Sequence, residues 1–196
     1  MKHILLIYGT KEGHTKKIAH TIAEQLRHAD FEVDVVDSAF TKEIQIENYD
    51  AFIAGASVHL SRYPKAFQSF VHDHSSYLQE KPSAFFSVCL GILETKNKKS
   101  QSAERKIVSD FLSNQNWQPS LTSIFAGALL YSKYNWLKRQ LMRIISWRAD
   151  GSTDTSRDYE YTNWNEVSLF TSNFILLITE KSKIHPTNNP EIEPTT

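Results

Sequence analysis

A single cysteine, Cys89, in 196 residues rules out an internal disulfide framework and a cysteine-based metal cluster. Net charge is also missing. Twenty-two Lys and Arg balance 22 Asp and Glu, so the whole chain lends no electrostatic support to non-specific nucleic-acid binding. No run of about 18 apolar residues occurs, so no segment reads as a membrane-spanning helix. The eight histidines show no ligand spacing on a helix face. His72 and His74, two apart, would diverge on a helix, and no metal site is expected. The chain begins on a core-type strand rather than a basic flank and a cleavage site. A cytoplasmic location is therefore expected, with attachment to a membrane surface left open. No internal repeat is visible.

What is present begins at the N-terminus. The apolar run Ile4-Leu5-Leu6-Ile7-Tyr8 leads directly into Gly9-Thr10-Lys11-Glu12-Gly13-His14-Thr15, and a helix-patterned segment follows. A strand feeding a loop of glycines and hydroxyls, then a helix N-terminus, is suited to an anion: N–H groups converge, and the helix dipole favours negative charge. The loop has neither the G-x-G-x-x-G order of dinucleotide folds nor the G-x-x-x-x-G-K-[ST] order of nucleotide triphosphatases. Its T-x-x-G-x-T order is similar to the loop with which flavodoxin-like proteins hold the phosphate of flavin mononucleotide (FMN).

Strand and helix patterns alternate along the chain. Lys16 to Arg27 has helical spacing through Ile18, Ala19, Ile22, Ala23 and Leu26. Phe31 to Val36 alternates as a strand, and Tyr49 to Ala56 holds another. Pro64 to Leu78 reads as one helix with Pro64 at its start. Ser83 to Leu90 is a fourth strand, Ser102 to Leu112 a helix, Leu121 to Leu130 a fifth strand and Trp164 to Ile178 the last helix. Near-continuous apolar strands separated by amphipathic helices predict an α/β fold: a doubly wound, five-stranded parallel sheet with helices on both faces. One domain over residues 1–181 is expected. A tail over 182–196, with three prolines and no periodicity, is expected to be disordered.

About thirty residues separate the fifth strand from the last helix, far beyond a usual connection. This insertion, about 131–158, contains Tyr131, Lys133, Tyr134, Trp136, Lys138, Arg139, Arg143 and Trp147. On a helix, Leu137, Leu141, Ile144 and Ile145 would form one stripe, with Lys138, Arg139 and Arg143 opposite, and Tyr131 to Arg148 holds no acid. A basic amphipathic helix with tryptophans fits a membrane interface. A helix packed on the sheet with a solvated basic face fits the same pattern.

Ligands of open parallel sheets sit at the carboxyl ends of the strands, where strand order reverses. Three loops qualify. The first holds Thr10, Lys11, Glu12, Gly13, His14 and Thr15. The second holds Ser57, Val58 and His59, with Leu60 and Tyr63 as further possible walls for a flat ring. The third holds Ser87, Val88, Cys89, Leu90 and Gly91, whose backbone could serve a polar ring edge. Cys89 has no evident His or acid partner, so a spectator thiol is expected.

Across roughly residues 1 to 180 the chain resembles the flavodoxin-like menaquinone-dependent protoporphyrinogen IX dehydrogenases. The phosphate loop, Glu47-Asn48-Tyr49-Asp50, Gly55-Ala56-Ser57, Ala66-Phe67-Gln68-Ser69-Phe70-Val71, Pro82 to Val88 and Ala126-Gly127-Ala128-Leu129 carry the likeness. So do Tyr131, Tyr134 and Trp136 with the basic stretch after them, Gly151-Ser152-Thr153-Asp154-Thr155, and Tyr161-Thr162-Asn163-Trp164. The second loop departs: the family tends to read A-S-I-R-Y-G-x-Y where this chain has Ala56-Ser57-Val58-His59-Leu60-Ser61-Arg62-Tyr63, and often has Asn in place of Cys89. The resemblance implies FMN as cofactor, with Thr153 and Asp154 near it. It implies a peripheral enzyme on the cytoplasmic side of the bacterial inner membrane. Its substrate would be protoporphyrinogen IX, and its electron acceptor a membrane quinone, menaquinone or ubiquinone. The insertion would then meet an anionic membrane surface and the propionates of the substrate. The alternative is a flavodoxin-type electron carrier without its own substrate. Such carriers tend to be acidic, and this chain is neutral. A receiver-type module of the same fold would need acids after the first strand, where Tyr8, Gly9 and Thr10 stand.

Overall fold

The computed structural model describes residues 1–41, 44–90, 92, 98–129 and 158–184. Five strands, β1 (His3–Gly9), β2 (Glu32–Asp37), β3 (Ala51–Ser57), β4 (Ser83–Cys89) and β5 (Leu121–Ala126), form one sheet in the order β2-β1-β3-β4-β5. Every pairing is parallel. Among the described residues five α-helices connect or cover them: α1 (His14–His28), α2 (Lys65–Asp73), α3 (Ser75–Glu80), α4 (Lys98–Asn114) and α5 (Trp164–Ile184). Two short strands, β6 (Ala128–Leu129) and β7 (Tyr159–Glu160), pair antiparallel outside the main sheet.

The period-2 alternation of each strand builds a core on both sides of the sheet. Ile4, Leu6, Tyr8, Ile53, Phe86 and Phe125 face α1 and α5, which return Ile18, Ile22, Leu26, Val167, Phe170, Phe174 and Ile178. Leu5, Ile7, Phe52 and Phe85 face the other way and meet Phe67, Phe70, Val71, Leu78, Val108 and Phe111 from α2, α3 and α4. Each such fully buried side chain stabilises the fold by roughly 1.5–3 kcal/mol. On the second face the buried Trp117 donates its indole N–H to Leu78 O at 3.1 Å and Ser83 Oγ at 3.0 Å. Ser83 Oγ in turn donates to Leu78 O at 2.6 Å, so this apolar layer leaves neither polar group unpaired.

Four boundaries differ from the sequence reading. The single helix expected over Pro64 to Leu78 breaks at His74. The Asp73-His74-Ser75-Ser76 stretch is weakly helical, and the second piece re-aims Leu78 into the core. The fifth strand ends at Ala126, not Leu130. Beyond Gly127 the chain leaves the sheet to pair with β7. Helix α4 begins before Ser102 and ends after Leu112. The last helix runs to Ile184, three residues into the expected tail. The remainder of that tail, 185–196, and the insertion over 130–157 lie outside the described residues.

Gly55 and Phe86 are register partners on β3 and β4, and the Phe86 ring lies over the glycine. A Cβ on Gly55 would sit 2.0 Å from Phe86 Cζ. Gly55→Ala should therefore overpack the face covered by α1 and α5 and cost about 1–3 kcal/mol. Adding Phe86→Leu should recover part of that loss. Urea unfolding of the two single variants and the double variant checks this; additive losses would refute the contact.

Candidate functional site

The strand order reverses between β1 and β3, because β2 lies on one side of β1 and β3, β4 and β5 on the other. That crevice opens at the carboxyl ends of the strands. Among the described residues three buried hydroxyl oxygens have no hydrogen-bond partner: Thr15 Oγ1, Ser38 Oγ and Ser57 Oγ. All three stand around this crevice: Thr15 and Ser38 follow β1 and β2, and Ser57 ends β3. A broad groove also runs between α4 and the β5 edge, lined by Arg105, Trp117, Gln118 and Thr122. None of the three hydroxyls lines it. The chemistry thus places the candidate site at the strand reversal.

The first loop is built for close approach. Gly13, the residue before α1, has φ 94°, a left-handed conformation that glycine adopts without steric cost. Its N–H donates to Thr10 Oγ1 at 2.9 Å, closing the loop into a turn. No side chain caps α1, and its first turn contains no acid. The helix N-terminus therefore keeps its N–H groups and its positive end for an anion. Thr15, 1% exposed, adds its unpartnered hydroxyl within that first turn.

The second loop is a tight hairpin. His59 N–H donates to Arg62 O at 2.9 Å, and Arg62 N–H donates to His59 O at 3.0 Å. The two residues between, Leu60 and Ser61, have φ 49° and 59°. Such turns favour Asn-Gly, and a left-handed leucine costs roughly 1–2 kcal/mol. Val58 N–H donates to Val88 O at 2.9 Å, which ties this loop to β4. Tyr63 is not a wall of the crevice. It is buried among Phe67, Phe85 and Phe111, and its hydroxyl donates to Ser87 Oγ at 2.9 Å. Burial pushes the Tyr63 phenol well above its ordinary pKa. The Ser87 and Val88 side chains likewise point into the core. Cys89 is buried, and its carbonyl accepts Gly127 N–H at 3.0 Å. Leu90 is half-buried at the rim.

A second belt of hydrogen bonds joins β5 to α1. Tyr161 N–H donates to Gly127 O at 3.1 Å. Thr162 Oγ1 donates to Ala126 O at 2.7 Å and lies 2.6 Å from His14 Nε2. A hydroxyl has one proton, so His14 must be the donor in that contact and carries its proton on Nε2. Burial lowers the His14 pKa, with Glu160 opposing and Lys17 reinforcing; the ring is neutral at pH 7. Lys17 pairs with Glu160 at 2.7 Å and lies 4.9 Å from the Trp164 ring centroid. The first turn of α1 is thereby bolted to the segment between β7 and α5.

The structure thus brings Thr10 to Thr15, Ser57 to His59 and Val88 to Leu90 to one end of the sheet. Lys11 is exposed there, and Glu12 is half-buried. Gly91, Thr153 and Asp154, and all of Tyr131, Lys133, Tyr134, Trp136, Lys138, Arg139, Arg143 and Trp147, lie outside the described residues. Sequence reasoning missed Ser38 and Thr162. Ser38 reaches the crevice only because β2 neighbours β1, with Ser38 N–H donating to Tyr8 O at 2.8 Å. Thr162 is 148 residues from His14; only its place in the Tyr161-Thr162-Asn163-Trp164 stretch marked it.

Residues 5–156 match the flavodoxin domain family. The protoporphyrinogen IX dehydrogenase [quinone] of Escherichia coli K12 is 35% identical over 166 residues, 85% of this chain and 91% of that protein. The protein of that name from Leishmania major is 36% identical over 174 residues, 88% of this chain and 74% of its own length. The chain belongs to the flavodoxin domain family, among its quinone-linked protoporphyrinogen IX dehydrogenases. The flavodoxin of Streptococcus pneumoniae TIGR4 superposes with a TM-score of 0.53 at 11% identity, covering 91% of this chain and 99% of that one. That likeness is one of fold.

FMN is the cofactor of this flavodoxin domain. The residues present fit its phosphate, through the uncapped helix end, the left-handed Gly13 and the orphan Thr15 hydroxyl. Thr15→Val keeps shape and removes only that hydroxyl. It should leave the FMN-free protein equally stable or more stable, because an unpaired buried hydroxyl costs about 1–3 kcal/mol. The same change should weaken FMN binding about tenfold or more. Thermal unfolding and fluorescence titration check the opposite signs.

His14 generates a pH dependence. Its pKa is lower folded than unfolded, so the unfolded chain binds more protons in between. This contribution to stability is complete above about pH 6.5 and is lost as pH falls towards the folded value. His14→Gln can keep a donor to Thr162 and removes the titration. Denaturation from about pH 8 to about pH 5 should cost the native protein more than the variant; equal slopes would refute the neutral strap.

Proposed function

We propose that this protein takes electrons from protoporphyrinogen IX and passes them through FMN to a membrane quinone. The observation that carries this reading is the 35% identity with the Escherichia coli enzyme across 85% of the chain. The crevice that leaves three hydroxyls for an outside partner supports it. FMN, when bound, would supply the redox chemistry between porphyrinogen and quinone. The chain's own residues position and insulate. Thr10 to Thr15 would hold the phosphate, and Ser57 to His59, Cys89 and Leu90 would line the place of the ring. His14, neutral and donating to Thr162, keeps the phosphate loop and the β7–α5 junction in register. No protein acid or base is assigned: Tyr63 is a neutral, engaged phenol, and Cys89 is a spectator.

A quinone dissolved in lipid must be reached from the bilayer surface. Among the described residues no helix is long and apolar enough to cross a membrane. We assign contact with an anionic surface, and with the propionates of the substrate, to the insertion from Tyr131 to Arg148, with peripheral attachment at the cytoplasmic face. Lys133, Lys138, Arg139 and Arg143 would supply charge, and Trp136 and Trp147 interfacial anchoring.

The deciding experiment adds protoporphyrinogen IX and a short-chain quinone to the FMN-loaded protein without oxygen. Porphyrin fluorescence should appear only with quinone. Reversible FMN reduction by a reductase, with no porphyrin formed, would instead make the protein a carrier. Reversing Lys138, Arg139 and Arg143 to Glu should release the protein from anionic vesicles and change the unfolding temperature little, because exposed charges contribute little to stability. Co-sedimentation of native and variant protein checks this; equal, negligible binding by both would refute the interfacial insertion.

A further inference from the structure

Large apolar side chains exposed to water on a small domain call for a partner when they gather at one place. Besides the terminal Met1, the most exposed large hydrophobic residues among those described are Leu60, at 97%, and Phe40, at 79%. Both lie at the carboxyl end of the sheet. Phe40 follows β2, its N–H donating to Asp37 O at 2.8 Å. Leu60 tops the hairpin after β3. Because β2 and β3 flank β1, the two tips stand on either side of the phosphate loop.

The hairpin carries left-handed strain at Leu60 and Ser61, where Asn-Gly would relieve it. The leucine therefore serves neither local conformation nor the core. Lys11, Arg62 and Lys65 are exposed on the same rim, while the adjacent acids Glu12 and Asp37 are half-buried; the exposed Asp110 and Glu160 further out are paired with Lys106 and Lys17, and Asp158 is exposed at β7. The insertion also leaves and returns here, at β6 and β7. Apolar tips ringed by exposed cations match the headgroup region of an anionic bilayer.

We propose that this rim, with Leu60 and Phe40 as its apolar anchors and Lys11, Arg62 and Lys65 as its cations, docks on an anionic lipid surface, so that the mouth of the crevice itself faces the bilayer. The proposal rests on the quinone-linked reading and adds an orientation to it. Electrons would then leave the crevice directly into the interface.

The test uses the full-length, FMN-loaded protein with a nitroxide at Leu60→Cys, Phe40→Cys or, on the outer face of α5, Leu176→Cys. The native chain, whose one cysteine is buried, controls for background labelling. With vesicles of phosphatidylcholine and phosphatidylglycerol, labels at 40 and 60 should become accessible to oxygen and shielded from an aqueous nickel chelate. The label at 176 should stay in water. Leu60→Ser with Phe40→Ser should weaken co-sedimentation about tenfold or more. Labels at 40 and 60 that remain in water on bound vesicles would overturn the orientation, as would no vesicle binding at all. A fall in FMN affinity with vesicle binding intact would assign Leu60 to the flavin instead. Labels immobilised without lipid, in a concentration-dependent way, would assign the rim to a second copy of the chain. The porphyrinogen assay with a short-chain quinone needs no membrane. Its failure would overturn the substrate while leaving the docking result intact.

Discussion

A buried hydroxyl that finds no partner destabilises the fold that holds it, and this fold tolerates three around the end of one strand. Much else among the described residues at that end of the sheet is paired. Val58 bonds to β4, Gly127 to Cys89, Tyr161 to Gly127, and Thr162 to both Ala126 and His14. The belt is continuous from the second loop round to the first turn of α1. Against it, Thr15, Ser38 and Ser57 stand out as groups kept for a partner that the chain does not contain.

That arrangement suits a protein whose chemistry belongs to a bound cofactor. The scaffold then has no reason to place an acid or base at the crevice. His14 is neutral because it is buried. Glu160 is partly desolvated, but hydrogen bonds from Lys17 and Trp164 hold its pKa below the ordinary carboxylate value. Rigidity is the contribution. The β7–α5 segment after the insertion is tied to α1 by one hydrogen bond, one ion pair and one cation–ring contact. The point where the chain returns from the insertion is thereby registered to the Thr10–Thr15 loop.

The sheet was legible in the sequence because its central strands β1, β3 and β4 are apolar on both faces, the pattern of strands in a covered parallel sheet. The Thr10–Thr15 loop was legible for a related reason: strand, turn residues and helix follow one another within fifteen positions, so its conformation is local. Tyr63 was not legible. At the start of α2 it looks like an aromatic wall, and only the packing of Phe85 and Phe111 shows that it fills the core. The break at Gly127 was hidden in the same way, because Ala128 and Leu129 are as strand-like as what precedes them and differ only in the partner they find.

Sequence by itself therefore determined the elements, their order and the glycine turn before α1, since each depends on neighbours a few residues away. Tertiary structure decided which loops meet. Ser38 enters the crevice because β2 packs beside β1, Thr162 meets His14 across 148 residues, and the strained Leu60 tip stands out of the fold because Tyr63 is drawn in. These are contacts between segments far apart in the chain, and no local period or composition encodes them.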